Sequence, residues 1–419
     1  MRTFYSCLFY LLVPFILIRL IWRSIKAPAY RYRWRERFAL YDRKFSQHVI
    51  WFHAVSVGEA EALFPLARQI LQQQPKAKLL ITTTTPTGSA RVKAVMPDSV
   101  DHVYLPYDLP CAVKRFMQCF KPKIAVMMET EIWPNFFAHC GKNDIPLYII
   151  NARLSKNSAR GYRKIPALIR PALSRIKLIA TQTADDADRF IAIGAQAETV
   201  KVLGNIKFDL EISTTLIKQG VQLKNDVFER RFVWLIASTH KDEEALFLDI
   251  YKKIKPKLPD LILVIAPRHP ERFGEVKKLC EAHRLAVAVR TANAVCTAHT
   301  DVYLADTMGE LKLLYAAADV AFVGGSMVPV GGHNILEALA VGTPVMFGPY
   351  MVNFKDISEG VLRLNAAIQC QDNDEISSAI ITLHADAVYR QALAEKGKAF
   401  VQQNQGAITR ILNILKQDI

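Results

Sequence analysis

The chain opens with a continuous apolar stretch. No charged residue occurs from Thr3 to Ile18, and after Arg19 the apolar run continues to Trp22. About 20 residues of helix span ~30 Å, which is the hydrocarbon thickness of a bilayer. The pattern therefore predicts a membrane anchor helix over residues 1–22, with a helix lying in the membrane interface as the alternative. No small-residue cleavage site follows, which argues against a removed signal peptide.

From residue 48 onwards, short β-branched runs alternate with helical stretches. Strands that are apolar on both faces and alternate with helices are typical of a parallel, doubly wound sheet. We therefore expect an α/β protein with two Rossmann-like domains and a cleft between them. The predicted strands cover residues 48–57, 78–85, 102–106, 124–129, 146–151, 177–182, 232–238, 261–267, 302–306, 320–325 and 344–348. The predicted domains are 48–210 and 231–419, the second with terminal helices, joined by a polar linker over 211–230.

Composition agrees with two folded domains. A chain of 419 residues suits two domains of about 200 residues each. Hydrophobic residues make up 51% and charged residues 22%, which excludes a disordered chain. The seven cysteines are odd in number and form no CxxC pair, which favours free thiols over a disulfide framework or a zinc ribbon.

The positive charge is concentrated beside the predicted anchor. The net charge is +15, and residues 1–45 hold ten Lys or Arg against two acidic residues. This predicts a basic juxtamembrane segment over 23–47 that contacts an anionic membrane surface, with the following chain in the cytoplasm. The same segment could also contact a phosphorylated lipid substrate. Nucleic acid is a weaker interpretation, because the charges adjoin a membrane helix and no RRM, KH or zinc motif is present.

The second half carries a glycine-rich segment suited to a nucleotide. Residues 324–349 follow a predicted strand and place glycine pairs before a helix expected to start at Asn334. Glycines allow close approach of the backbone, the helix start favours a phosphate, and Glu337 could accept hydrogen bonds from ribose. Arg268 follows a strand that Pro267 ends, and its guanidinium could bind a phosphate. The alternatives are a plain strand–turn–helix crossover and a solvated surface arginine.

The first half carries carboxylates at predicted strand ends. Glu59 falls in the first helical turn after the first predicted strand, where the helix dipole favours its ionised form, so it could act as a general base. An ordinary helix-start glutamate is the alternative. Glu129 and Glu131 follow the fourth predicted strand and should reach the same edge of the sheet, and Lys207 lies near the expected domain junction.

Metal-binding motifs are missing from the sequence. There is no HExxH motif and no Cys/His cluster, and we interpret His53, His269 and His333 as structural residues. The acidic run 372–374 superficially resembles a metal-binding DxD, but its position predicts a helix start. We therefore expect neither a metal nor another cofactor.

Eight motifs occur in one order along the chain: VSVGE, TPTGSARV, METEIWPN, NARLS, GNIKFD, PRHPERF, DTMGEL and GGHNILEA. Together they resemble the Kdo (3-deoxy-D-manno-octulosonic acid) transferases of lipopolysaccharide synthesis. The resemblance implies a GT-B fold and an inverting transfer of Kdo from CMP-Kdo to a lipid A precursor, lipid IVA. It also implies anchoring in the bacterial inner membrane, with the catalytic domains in the cytoplasm, an acceptor-binding first domain and a CMP-sugar-binding second domain.

The resemblance also implies site residues at the matching positions. Glu59 corresponds to the catalytic base, and Glu129 and Lys207 correspond to residues that stabilise the transition state. The positions implied to bind CMP are Pro267, Arg268, Met308, Gly309, Glu310, Asn334, Ile335, Leu336 and Glu337. The alternatives are another membrane-associated GT-B glycosyltransferase with a different nucleotide sugar and lipid acceptor, and a membrane-tethered nucleotide-binding scaffold without catalysis.

Overall fold

The structure is a computed structural model that describes residues 1–42 and 45–419. Residues 43 and 44, which belong to the predicted juxtamembrane segment, lie outside the described residues. The chain divides into two compact units. Unit 1 comprises Met1–Asp209 and Gln405–Ile419, and unit 2 comprises Leu210–Asn404.

The apolar N-terminal stretch forms one helix, α1 (Arg2–Lys26), which ends four residues after the predicted anchor. By length and composition it could cross a membrane. Most of its large apolar side chains are exposed, but Phe9 and Val13 pack against the buried core of unit 1. One face of the helix therefore belongs to the folded unit.

The juxtamembrane segment forms two short 3-10 helices, Pro28–Arg31 and Trp34–Phe38. Two of its arginines are hydrogen-bonded to backbone oxygens elsewhere in unit 1. The guanidinium of Arg33 donates to the backbone oxygen of His102 at 2.8 Å, and the buried Arg37 donates to the oxygen of Thr84 at 2.9 Å. Arg31 and Arg35 remain exposed. Part of the basic charge therefore fixes the segment to the domain and is not free to face a membrane.

Unit 1 contains a seven-stranded sheet whose strands are all parallel, in the order β3-β2-β1-β4-β5-β6-β7. The strand order reverses between β1 and β4, and at such a point ligands bind in open α/β sheets. The strands are β1 (Ile50–His53), β2 (Leu79–Thr83), β3 (Asp101–Tyr104), β4 (Ile124–Met128), β5 (Leu147–Ala152), β6 (Leu178–Thr181) and β7 (Val200–Val202). The helices are α2 (Val57–Gln73), α3 (Pro86–Val95), α4 (Pro110–Phe120), α5 (Pro134–Lys142), α6 (Lys156–Tyr162), α7 (Pro166–Leu173) and α8 (Ala184–Ala192).

Unit 2 repeats this plan, with a second parallel sheet in the order β10-β11-β9-β8-β12-β13-β14. Its order reverses between β8 and β12. The strands are β8 (Phe232–Thr239), β9 (Leu261–Pro267), β10 (Val287–Val289), β11 (Val302–Leu304), β12 (Val320–Val323), β13 (Val345–Phe347) and β14 (Ile368–Gln369). The helices are α9 (Thr214–Val227), α10 (Glu243–Ile254), α11 (Phe273–Ala282), α12 (Leu311–Ala317), α13 (Leu336–Val341), α14 (Lys355–Arg363), α15 (Asn373–Ala385) and α16 (Ala387–Asn404). The prediction of two Rossmann-like α/β domains is confirmed.

The predicted domain bounds differ from the structure at two places. Most of the expected linker is helix α9, which belongs to unit 2 because Lys224 pairs with Asp319 at 2.6 Å and Gly220 lies directly against α12. The last helix, α17 (Ala407–Leu415), returns to unit 1, where Ile408 and Leu412 join the buried core. The first difference arises because α9 has few apolar residues, and the second because the sequence of a terminal helix does not show on which unit it packs.

Candidate active site

Glu59 lies at the switch point of the first sheet, in the first turn of α2. Ser56 caps this helix, since its Oγ accepts from the Glu59 N–H and donates to Glu59 Oε1 at 3.0 Å. The N–H of Val55 donates to the other carboxylate oxygen at 2.9 Å. This is a capping box in which the glutamate reaches back over the helix start. The sequence S-V-G-E thus fixes the position of the Glu59 carboxylate.

Glu129 and Lys207 lie beside Glu59. Glu129 follows β4 with a φ of 55°, a left-handed conformation that costs free energy for a residue other than glycine and is often found at functional sites. Lys207 Nζ lies 3.4 Å from Glu129 Oε1. The Lys207 loop is held by Asn151, whose Oδ1 accepts from the N–H of Ile206 at 3.1 Å. Sequence reasoning quoted Asn151 only as part of the NARLS motif and gave it no role.

Two carboxyl groups at this site, those of Glu59 and Glu131, have pKa values raised to near neutral pH. Burial raises the pKa of Glu59 to about 7, and the negative charge of Glu129 adds to this, against the hydrogen bonds from Val55 and Ser56 and the charge of Lys207. Burial raises the pKa of Glu131 to about 8, with a further contribution from Glu59. We call Glu59, Glu129, Glu131 and Lys207 the carboxylate cluster. A carboxylate with a pKa near 7 can accept a proton at neutral pH and is still a stronger base than an ordinary one.

His53 is a structural residue, as expected. It is fully buried, and its Nδ1 lies 2.9 Å from Thr82 Oγ1. Burial lowers its pKa to about 3, so it is neutral at physiological pH. Its Nε2 lies 3.8 Å from Glu131 Oε2, a separation too long for a hydrogen bond.

In unit 2, the glycine-rich segment forms a loop over residues 324–335, between β12 and α13. A buried carboxylate, Glu243, organises its first turn. Its Oε2 accepts from the N–H of Gly325 at 2.7 Å, and its Oε1 accepts from those of Ser326 and Met327 at 3.1 and 3.0 Å. Gly325 has a φ of 66°, which a residue with a side chain rarely adopts. The sequence analysis missed Glu243, although an acidic residue in the first helical turn after a strand is a recognisable signal.

The predicted helix start after this loop is displaced. Helix α13 begins at Leu336, two residues later than expected. The side chain of Asn334 accepts the Leu336 N–H at 3.0 Å, and Glu337 lies half-buried in the first turn. The loop therefore presents Asn334 and Glu337 within one turn of each other.

The remaining predicted nucleotide residues also lie at strand ends of unit 2. Pro267 is the last residue of β9 and is buried, and Arg268 follows it in an exposed position, as expected. Met308 is exposed beside Gly309, whose φ is 87°. Glu310 pairs with Arg290 at 2.9 Å, and this partner, which sequence reasoning missed, lowers the pKa of Glu310.

Three histidines gather at the same edge of the second sheet. The Nε2 atoms of His240 and His333 are 2.7 Å apart and their rings stack, while the ring of His269 meets that of His240 edge-on. Burial lowers the pKa of His333 to about 4. Among the described residues, no group of three or more His, Cys, Asp or Glu could hold a metal ion. The acidic run at 372–374 caps α15, with Asp372 accepting two backbone N–H groups, as predicted.

The two Rossmann-like units, each built on a parallel sheet, give the chain a GT-B fold. One solved structure of similar fold is UDP-GlcNAc 2-epimerase from Neisseria meningitidis bound to UDP-GlcNAc. The superposition covers 88% of this chain and 99% of that one, with a TM-score of 0.57 and 16% sequence identity. At this identity the likeness concerns the fold alone.

Sequence relatives identify the family. The family model described as 3-deoxy-D-manno-octulosonic-acid transferase (kdotransferase) matches residues 32–210. The 3-deoxy-D-manno-octulosonic acid transferase of Haemophilus influenzae is 38% identical over 99% of this chain and 98% of that protein. The enzyme of the same name from Bordetella pertussis is 35% identical over 88% of this chain and 86% of that protein. The chain belongs to the 3-deoxy-D-manno-octulosonic acid (Kdo) transferase family, which confirms the resemblance of its motifs.

Proposed function

We propose that this Kdo transferase takes its sugar from CMP-Kdo and transfers it to a lipid A precursor, lipid IVA, with inversion at the donor carbon. The observation that carries the proposal is the Glu59 carboxylate. It is fixed by a capping box, its pKa is raised to about 7, and it lies beside the Glu129–Lys207 pair. These are the properties that a general base needs at neutral pH.

The reaction follows from one base and one displacement. Glu59 accepts the proton of a sugar hydroxyl on the acceptor as that oxygen attacks the anomeric carbon of Kdo. The bond from that carbon to the phosphate oxygen breaks, and its electron pair leaves with CMP. Attack opposite the leaving group inverts the configuration. Lys207, held by Glu129, supplies a positive charge while negative charge develops in the transition state.

The donor is assigned to the strand ends of unit 2. Arg268 is exposed and available for the phosphate of CMP, and Glu337 is assigned to the ribose hydroxyls. The carboxylate of Glu310 is already paired with Arg290, so the contribution of residues 308–310 to CMP comes through their backbone and through the exposed side chain of Met308. Pro267, Asn334, Ile335 and Leu336 complete the assigned nucleotide segment. No metal is assigned to the reaction.

The acceptor suggests the location of the enzyme. A lipid A precursor is held in a membrane, and α1 presents apolar side chains such as Leu11 and Phe15 to the surroundings. We assign the chain to the bacterial inner membrane through α1, with both units in the cytoplasm. Arg31 and Arg35, which are exposed, are assigned to the anionic membrane surface.

Two measurements on the purified enzyme test the proposed function. Mass spectrometry should detect a Kdo-bearing product from lipid A precursor and CMP-Kdo. CMP should raise the melting temperature more than UDP does, because a ligand stabilises the state that it binds. Stabilisation by UDP alone, with no Kdo product, would instead support a glycosyltransferase that uses a UDP-sugar and a polyprenyl lipid.

A further inference from the structure

Unit 1 contains a cavity of about 380 Å³ between α1 and the ends of its sheet. Ile16 and Leu20 of α1 and the ring of Trp133 make one part of its wall apolar. Arg19 and Arg23, also from α1, make the other part basic together with Arg37. We call it the arginine cavity. Its lining therefore combines apolar and basic side chains.

The three arginines that line the arginine cavity all act on one neighbour, Tyr107. Burial raises the pKa of Tyr107, another lining residue, and the positive charges of Arg37, Arg19 and Arg23 all oppose that change. Among the described residues, none of these three arginines has an acidic partner within 4 Å. Arg37 is buried, and its guanidinium lies 4.4 Å from the centre of the Tyr104 ring. Three like charges held together without a counter-ion favour a multiply charged anion.

The arginine cavity adjoins the carboxylate cluster. Glu131 lines it directly, and so does Val55, whose N–H holds the Glu59 carboxylate. The pKa of Glu131 is raised to about 8, so this residue is mostly protonated at neutral pH and does not neutralise the arginines. A molecule in the cavity therefore has its anionic group at the arginines and another part next to the proposed base.

We propose that the arginine cavity binds the phosphorylated glycolipid acceptor. A phosphate monoester on its sugar lies against Arg19, Arg23 and Arg37, and the first carbons of an acyl chain lie against Leu20 and Trp133. Guanidinium groups bind phosphate through paired hydrogen bonds, and bulk phospholipid has no sugar hydroxyl to present to Glu59. Helix α1 is thus part of the substrate site as well as a membrane anchor. The proposal rests on the proposed function, because it gives the acceptor of that reaction its binding site.

The test compares two double variants with the same change in charge. Arg19→Ala with Arg23→Ala removes two arginines from the cavity. Arg31→Ala with Arg35→Ala removes two exposed arginines of the neighbouring segment, which do not line it. Neutral detergent micelles remove the contribution of membrane charge. We expect the first variant to raise the acceptor KM at least about tenfold and the second to change it less than about threefold, with the donor KM unchanged in both. Arg19→Lys with Arg23→Lys keeps the charge, so its acceptor KM should lie between those of the wild-type enzyme and the alanine variant.

The second part of the test uses an acceptor from which the phosphates have been removed. With it, the wild-type enzyme and the cavity variant should have the same KM, because the lost interaction is with phosphate. Equal losses in both double variants, or an undiminished loss with the phosphate-free acceptor, would overturn the proposal in favour of general attraction to anionic lipid. Circular dichroism checks folding.

Direct binding separates this proposal from the proposed function. The phosphorylated glycolipid is titrated in neutral micelles without CMP-Kdo, using intrinsic tryptophan fluorescence. Weaker binding by the cavity variant, with no Kdo transfer by the wild-type enzyme, would leave the site standing and remove the reaction. Kdo transfer by the wild-type enzyme, with unchanged binding by the cavity variant, would support the reaction and overturn the assignment of the site.

Discussion

At the scale of the residue, Glu59 serves both the fold and the proposed chemistry. Its carboxylate closes the capping box of α2, which would explain a glutamate at this position in any helix. Its raised pKa has a different origin, since burial and the charge of Glu129 are properties of the folded site. The capping box therefore orients the group that the surroundings make basic.

Replacing Glu59 by Gln should separate these two contributions. Glutamine keeps an oxygen for the Val55 N–H but cannot accept the proton of the acceptor hydroxyl. We expect kcat to fall about 10²- to 10⁴-fold, with little change in CMP affinity, because the assigned CMP residues lie in unit 2. Steady-state kinetics and titration with CMP give both values. Glu61→Gln, an exposed position on the same helix, is the control. A folded Glu59→Gln enzyme with more than about a tenth of wild-type kcat would remove Glu59 as the base.

The pH profile should follow the charges around Glu59. The base must be deprotonated, so kcat/KM should fall as the pH drops below about 7. Glu129→Gln removes a negative neighbour and should move this acid limb to lower pH. Lys207→Met removes a positive neighbour and should move it to higher pH. Profiles normalised to their own maxima allow comparison despite slower turnover. Limbs that coincide in all three enzymes would mean that another group titrates.

At the scale of the element, the sequence predicted the central strands and the edge strand β3, and missed the other three edge strands. β7, β10 and β14 went unnoticed, and each is an edge strand of two or three residues. Length alone does not explain this, because β11 and β13 also have three residues; they are fully buried, whereas the missed strands are not. The interior strands are buried on both faces, so their apolar runs are long enough to detect.

The residues of the candidate site also divide into those that the sequence reveals and those that only the folded structure reveals. Glu59, Arg268 and Glu337 could be found because strand ends and helix starts are visible in the sequence. The partners of Glu243 and Asn151 could not, because they are backbone groups about 80 and 55 residues away, and only the folded chain brings these together. That Arg19 and Arg23 line the same cavity as Arg37 likewise depends on how α1 packs.

Glu243 should determine the shape of the glycine-rich loop. Each carboxylate oxygen accepts two backbone N–H groups, the fourth coming from His240. In Glu243→Gln, the amide NH₂ must face two N–H donors, which costs roughly 1–3 kcal/mol. We expect a lower melting temperature and a smaller thermal shift with CMP. Asp319→Asn, at the opposite end of β12, should lower the melting temperature but keep the CMP shift. An unchanged CMP shift in Glu243→Gln would mean that the loop does not bind the nucleotide.

At the scale of the whole molecule, the N-terminal helix belongs to the folded protein more than its sequence indicated. Its apolar run predicted an anchor outside both cores. In the structure, Ser6 is buried and donates to the side chain of Asn135, and Tyr5 lies close to Asp108. Asp108 in turn accepts the N–H groups of Asn135 and Phe136 at the start of α5. Polar contacts of this kind orient α1 on unit 1, so that its other, apolar face stays exposed.

Substitutions on the two faces of α1 should therefore affect two different properties, stability for one face and binding to lipid vesicles for the other. Phe9 packs on the core of unit 1, so Phe9→Ala should lower the free energy of unfolding by about 1–3 kcal/mol. Leu11 is 73% exposed, so Leu11→Ala should leave the melting temperature unchanged and weaken binding to lipid vesicles. Thermal melts in detergent and vesicle sedimentation measure the two properties on the same preparations. If Phe9→Ala weakened only vesicle binding, the helix would lie wholly in the bilayer. If Leu11→Ala destabilised the protein as much as Phe9→Ala, both faces of the helix would be packed within the protein.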